Sequence, residues 1–211
     1  MALHVDDDPE RVRAHRERLA ATLHLASPAR WSWLEQVHGT TVVEGDAVVG
    51  VEPPPRADAA VTATPGLPLV VLTADCLPIA LASDDAIGVV HAGWQGLMAG
   101  VVEAAVDRLR AVGTGAVRAA IGPCAGPDRY EFGRADLDRV VERLGSGVEA
   151  RTADGRPSLD LPGAARKVLE GAGVAEVWES GICTIASPDH FSYRREGRTG
   201  RQALVAWIPR A

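Results

Sequence analysis

Apolar residues fall along this chain in short runs, split by islands of glycine, histidine, cysteine and charge. The densest stretch is 67–113. Leu69–Thr73 and Leu77–Ala82 read as buried strands. Ser83-Asp84-Asp85 reads as the turn into a third strand at 86–91, which Gly93 ends. Beyond it, Val101, Val102, Ala105, Val106 and Leu109 share one helical face, with Glu103, Asp107 and Arg110 on the other, and Gly113 closes the helix. Near the start, Asp8 before Pro9 has the form of an N-cap with proline in the first turn, followed by Val12, Leu19 and Leu23 near helical spacing. Further strands are expected at 40–44, 59–63, 117–122, 174–179 and 203–208. Further helices are expected through Leu137, Val140, Val141 and Leu144, and over 162–170. Strand pairs and helices mix without strict βαβ alternation. The pattern therefore predicts an α+β fold over residues 1–211, a single domain with mixed sheets flanked by helices.

Composition narrows the function classes. Of 211 residues, 46% are hydrophobic and 24% charged, which excludes wholesale disorder. No apolar run approaches the roughly 18 residues of a membrane helix. The first residues, MALHVDDDPERVRAHRERL, lack the basic start and apolar stretch of a signal peptide. A cytoplasmic, monomeric protein with no membrane partner is expected. A net charge of −6 repels phosphate backbones, so no nucleic-acid partner is expected either. The three cysteines, Cys76, Cys124 and Cys183, are odd in number and far apart, which suits a reducing compartment.

The candidate chemistry lies in the islands. If the strands flanking Ser83-Asp84-Asp85 pair as a hairpin, Cys76 and His91 emerge at the same open end. A neighbouring imidazole or metal turns a thiol into a thiolate. The plainer alternative is a buried cysteine packing beside a hydrogen-bonded histidine. His38, in a Gln-Val-His-Gly turn, adds a second nitrogen. Two nitrogens and one sulfur suit Zn²⁺ or copper with a fourth position open, though gaps this long establish nothing by spacing alone. Asp75 adjoins Cys76 and serves as general acid or base if it projects into the site; otherwise it is a buried aspartate bonding backbone amides. Arg194, Arg195, Arg198 and Arg201 form the one local excess of positive charge. Arginine matches phosphate bidentately, but such clusters are more often solvated. His4, His15 and His24 read as solvated or helix-face residues, and His190 as a weaker candidate.

Taken in order, QVHG, TADCLPI, HAGWQGL, IGPCAGPDRYEFG, GICT and FSYRREGRTGRQA resemble the YfiH family, also called the laccase-domain or polyphenol oxidase-like family, which includes the peptidoglycan editing factor. The resemblance spans about residues 3–208. It implies an α+β fold related to a toxin deamidase domain with a Cys–His pair, and a metal site of His38, Cys76 and His91 holding zinc or copper. It also implies action on purine nucleosides: phosphorolysis of adenosine, inosine, guanosine and methylthioadenosine, and deamination of adenosine. Cys76, His91 and Asp75 are then the expected catalytic residues, with Tyr193, Arg194 and Arg195 toward phosphate or sugar. Family members usually begin with a strand of the type GVSTRxGG and an Asn-Leu-Gly segment; Met1-Ala2-Leu3-His4-Val5 looks like the tail of that segment. If the arginine of that strand holds phosphate, deamination is expected to dominate here. Three rivals remain. A copper oxidase of phenols needs many more histidines than six. A Cys–His hydrolase or amidase, acting in peptidoglycan precursor editing, would use Cys76 as nucleophile and His91 as base. The third is a non-enzymatic metal-binding module.

Overall fold

Asp8 caps the first helix, α1 (Pro9–Thr22), by accepting the Glu10 amide at 2.9 Å, with Pro9 in the first turn as the sequence predicts. The computed structural model describes residues 1–3 and 5–210; His4, read above as solvated, lies outside the described residues. The chain continues through β1 (Val42–Glu44), β2 (Ala59–Thr62), β3 (Leu69–Thr73), β4 (Leu77–Ala82) and β5 (Ile87–Ala92). Where one helix is expected after Gly93 there are two, α2 (Trp94–Ala99) and α3 (Val101–Val112), divided at Gly100. Next come β6 (Arg118–Ile121), α4 (Arg134–Leu144), β7 (Glu149–Arg151), β8 (Pro157–Leu159), α5 (Leu161–Gly171), β9 (Glu176–Glu179), α6 (Tyr193–Glu196) and β10 (Gln202–Ala206). None of the described helices is long and apolar enough to cross a membrane.

The fold is mixed α+β, as expected. Six strands form the central sheet in the order β1-β2-β5-β4-β6-β9, antiparallel at its centre and parallel at both edges. Alternation along the strands decides what each face meets. Ala59 and Val61 of β2, with Val90 and Ala92 of β5, pack against Val101, Val102, Ala105, Val106 and Leu109 of α3. Ala60 and Val89 point the other way, toward an antiparallel ribbon of β3 and β10. β3 is buried on both sides, which is why it reads as an unbroken apolar run rather than an alternating one. Its Leu69 and Val71 face the sheet; Val70 and Leu72 face Trp31 and Ala20 of α1. Each fully buried aliphatic side chain contributes roughly 1.5–3 kcal/mol. The sheet thus has apolar packing on both faces.

Candidate functional site

The site begins with strand register. Ala59 pairs with Val90, so position 58 falls opposite His91, whose amide donates to the Asp58 carbonyl at 2.7 Å. By the two-residue period, Asp58 shares the face of Ala60 and His91 that of Val89. The two side chains therefore meet on the ribbon side, with His91 Nδ1 and Asp58 Oδ1 2.8 Å apart and both residues buried. The Asp58 carboxylate also accepts the backbone amides of Val37 (3.2 Å), His38 (2.9 Å) and Gly39 (2.7 Å). Consecutive amides converging on one anion form a nest. That nest holds His38 at a φ of 59°, a left-handed conformation that costs a non-glycine residue about 1–3 kcal/mol. Gln36 secures the same turn from behind: its side-chain amide donates to the Leu72 carbonyl at 2.7 Å and accepts the Leu72 amide at 2.8 Å.

Cys76 enters from the other side. Pro78 pairs with His91 in the β4–β5 hairpin, so the thiol emerges at the hairpin's open end, as the sequence predicts. Cys76 Sγ lies 3.6 Å from His38 Nε2, and the His38 and His91 rings meet edge to face with centroids 4.7 Å apart. One donor atom from each of His38, Cys76 and His91 falls within 4.8 Å of the other two. Gly93 is what allows this closeness. A Cβ there would sit 2.6 Å from His38 Cδ2 and 3.2 Å from Cys76 Sγ.

The electrostatics follow from these contacts. Burial works to raise the Cys76 thiol, but hydrogen bonds and charge from His38 and His91 outweigh it and bring it down to about 6. Burial works to lower His91, yet its bonds to Asp58 and Cys76 lift it to about 9. Burial also opposes the Asp58 charge, and the bonds from His91, Gly39 and Val37 still hold its carboxyl below the usual range. The donor set fits a divalent metal. A thiolate and two imidazoles converge, and Asp58 engages His91 Nδ1, leaving Nε2 as the ligand atom, the arrangement common behind metal-bound histidines.

The three donors line a cleft of about 310 Å³. Its walls carry Trp94, Tyr130, Tyr193, Arg194 and Arg201. Trp94 meets Phe132 edge to face at 5.3 Å, and the Arg194 guanidinium lies 4.4 Å over the Tyr130 ring while donating to the Glu131 carbonyl at 2.8 Å.

Two of the expected residues are engaged by the protein's own groups. The Arg195 guanidinium is occupied, donating to the carbonyls of Thr184, Ile185, Ser187 and His190 and pairing with Glu196. It braces the C-terminal loop and does not line the cleft. Asp75 is buried at a φ of 90°, and its two oxygens accept the Thr184 hydroxyl at 2.6 Å and the Arg194 amide at 2.7 Å. These contacts tie the Cys76 turn to α6, and Asp75 also lines the cleft. Arg198 turns away to pair with Asp6. His190 is taken up locally, its Nδ1 2.9 Å from the Ser187 hydroxyl.

Asp58 is not marked by the sequence, and Arg201 is marked only as charge. Asp58 precedes an apolar strand with nothing in its neighbours to mark it; only the register with β5 reveals it. Arg201 was one arginine among four, and the start of β10 is what carries it into the cleft.

Site and fold together define an α+β protein with a carboxylate-braced His–Cys–His centre at one end of a mixed sheet. The chain matches the model of the multi-copper polyphenol oxidoreductase laccase family over residues 1–209 and belongs to that family, the YfiH family of the motifs above. It is 44% identical over 209 residues to a purine nucleoside phosphorylase of Streptomyces coelicolor, covering 97% of this chain and 85% of that one. A purine nucleoside phosphorylase of Xylella fastidiosa is 43% identical over 213 residues, covering 96% and 80%. Among solved structures, YlmD of Geobacillus stearothermophilus superposes with a TM-score of 0.87 at 30% identity, covering 100% of this chain and 84% of that one. A Neisseria meningitidis protein gives 0.87 at 31% identity, covering 99% and 85%.

Proposed function

We propose that this protein is a metal-dependent purine nucleoside enzyme acting at the His38–Cys76–His91 cleft, with phosphorolysis as its main reaction. The convergence of three ligand atoms at the mouth of an aromatic, arginine-lined cleft carries the reading, and the purine nucleoside phosphorylases among its relatives support it. The aromatic walls offer a purine flat surfaces for stacking. Arg194 and Arg201 supply positive charge for phosphate, whose attack on the anomeric carbon breaks the bond to the base and leaves ribose 1-phosphate. A divalent cation held by His38, Cys76 and His91 would supply Lewis acidity toward water or a substrate oxygen. Asp58 keeps His91 in one tautomer and orientation throughout. The same cleft would take adenosine for hydrolytic deamination, in which water displaces the C6 amine. Zinc suits one thiolate and two imidazoles; copper is the alternative that metal analysis separates.

A second reading rests on the Cys76–His91–Asp58 chain itself, which has the order of a nucleophile, base and orienting carboxylate in a hydrolase or amidase. Stoichiometric metal in untagged protein favours the first reading, and metal-free protein active on amides favours the second. A multicopper oxidase fits least, because a single cluster of three such donors exists among the described residues. The deciding experiment incubates the protein with adenosine, with and without phosphate, and resolves adenine, inosine and hypoxanthine. Phosphate-dependent adenine supports phosphorolysis, and phosphate-independent inosine supports deamination. No turnover of any purine nucleoside by metal-loaded protein refutes the proposal.

A further inference from the structure

Cys124 and Cys183 lie far from each other in sequence and take no part in the metal centre. The fold nevertheless makes them direct partners in an isolated parallel bridge: Cys124 N–H donates to the Ile182 carbonyl at 3.2 Å, and Thr184 N–H donates to the Cys124 carbonyl at 2.8 Å. Partners in such a bridge are roughly 4.8 Å apart in the hydrogen-bonding direction and project their side chains to one face. That spacing falls within the Cα separations of about 4.4–6.8 Å that a disulfide spans. Both thiols are reduced here. They sit on the wall of a second cleft, about 510 Å³ and distinct from the one holding the metal ligands, which gives a small oxidant access to them. Gly126 makes room for Cys183. A Cβ on it would lie 3.0 Å from Cys183 Cβ, and its N–H donates to Cys183 Sγ at 3.2 Å. The thiolate of a cysteine is the form that attacks a peroxide.

We infer that Cys124 and Cys183 are a reversible thiol pair that a hydroperoxide oxidises to an intramolecular disulfide. Cys183 is the partly exposed member and reacts first. Its thiolate attacks one peroxide oxygen, the O–O bond breaks, and the departing hydroxide or alkoxide takes up the proton the thiol had lost to solvent and leaves as water or an alcohol, so that Cys183 becomes a sulfenic acid. The Cys124 sulfur then attacks the Cys183 sulfur. An S–S bond forms, the S–O bond breaks, and the departing hydroxide takes the Cys124 proton as water. The two thiols lose two electrons and the peroxide gains them. Cys124 is nearly fully buried, and burial first, then the neighbouring Cys183, pushes its thiol up to about 12. It is therefore not the residue that meets the peroxide first. The bond would form one residue from Thr184, which the Asp75 strut ties to the substrate cleft.

The test uses the intact chain. Protein is treated with a few equivalents of hydrogen peroxide, excess peroxide is removed, free thiols are blocked with iodoacetamide in denaturant, and peptides are mapped by mass spectrometry without reduction. The expected result is a peptide pair linked through Cys124 and Cys183 in monomeric material. It should be abolished by dithiothreitol and absent from folded Cys183→Ser protein, in which Cys124 stays alkylatable. Mapping reads Cys76 separately, so oxidation at the metal centre does not confuse the outcome. Full alkylation of both Cys124 and Cys183 after peroxide overturns the inference. So does a link from Cys183 only to Cys76 or to another chain.

Discussion

At the scale of single residues, Asp58 carries the most. One buried carboxylate orients His91 and gathers three amides around His38, so two of the three ligands depend on it. Asp58→Asn keeps the shape but places an amide N–H or a neutral oxygen where amides and an imidazole N–H require an anion. Loss of such an outer partner typically costs 10–100-fold in metal affinity. A zinc competition titration of the folded variant should show a drop in that range, and an unchanged affinity would falsify the role assigned here. The second expectation concerns charge. In metal-free protein, the Cys76 thiolate and His91 imidazolium coexist between about pH 6 and about pH 9. The depressed Cys76 contributes stability that is present above its unfolded value and lost as pH falls through about 6. The raised His91 contributes stability that is present below its unfolded value and lost as pH rises through about 9. Alkylation of Cys76 in stripped protein, read by peptide mapping, should therefore stay fast down to about pH 6. The same profile should move upward in Asp58→Asn, because His91 then loses the group that keeps it charged. A midpoint near that of an ordinary thiol contradicts the coupling.

At the scale of elements, the site is a product of turns that end strands. Leu77–Ala82, the 83–85 turn and the strand after it were legible because an apolar run, a polar turn and another run admit one pairing. Cys76 and His91 followed from that hairpin alone. His38 was legible only as a candidate, because its approach depends on the Asp58 nest, and that nest depends on the register between two strands distant in sequence. The arginine cluster was legible as charge but not as geometry: residues adjacent in α6 point apart, so Arg194 reaches the cleft while Arg195 turns back to four carbonyls. β7 and β8, three residues each, left no periodic signal to read. The Arg194 and Arg195 geometry separates two variants that look alike in sequence. Arg195→Ala strips several carbonyls of a charged donor and should lower the melting temperature of the C-terminal region's unfolding. Arg194→Ala, which gives up one carbonyl and the Tyr130 ring, should cost less stability than Arg195→Ala and weaken phosphate binding about ten- to a hundred-fold, as loss of a charge-assisted contact of roughly 1.5–3 kcal/mol requires. Thermal melts alongside the phosphate dependence of turnover check both. A stable Arg195→Ala that alone loses phosphate dependence would reverse the assignment. Gly93→Ala belongs at this scale too. Its backbone suits alanine, at φ −70° and ψ 167°, but its Cβ collides with His38 and crowds Cys76. It should fold and lose metal affinity, whereas equal affinity in a titration would show that the ligands have slack.

At the scale of the whole molecule, the metal centre joins segments that the chain keeps apart. His38 sits on a turn before β1, Cys76 before β4 and His91 near the end of β5, and Asp58 reaches the first and third from the start of β2. No stretch of unfolded chain holds these donors together, so a metal held by them would favour the native state over the unfolded one. Binding of that kind stabilises by RT ln(1 + [L]/Kd), about 2.7 kcal/mol at a free metal concentration of roughly 100 Kd. For a protein of about this size, each kcal/mol moves the melting temperature by roughly 2–4 °C. Adding zinc to stripped protein should therefore raise the melting temperature by about 5–11 °C at that saturation, and less if the unfolded chain's thiols and imidazoles also take metal. Cys76→Ser removes a ligand from a half-buried position outside the apolar clusters. It should therefore melt close to the stripped parent and gain little from zinc. Cys183→Ser, remote from the three ligands, should gain as much as the parent. Scanning calorimetry of the three proteins with and without zinc reads all of this without any assay of turnover. If the parent gains nothing while the Cys76 thiol is intact and reduced, the three donors hold no zinc. The Cys76–His91–Asp58 chain would then stand as a thiolate hydrolase site on the same scaffold.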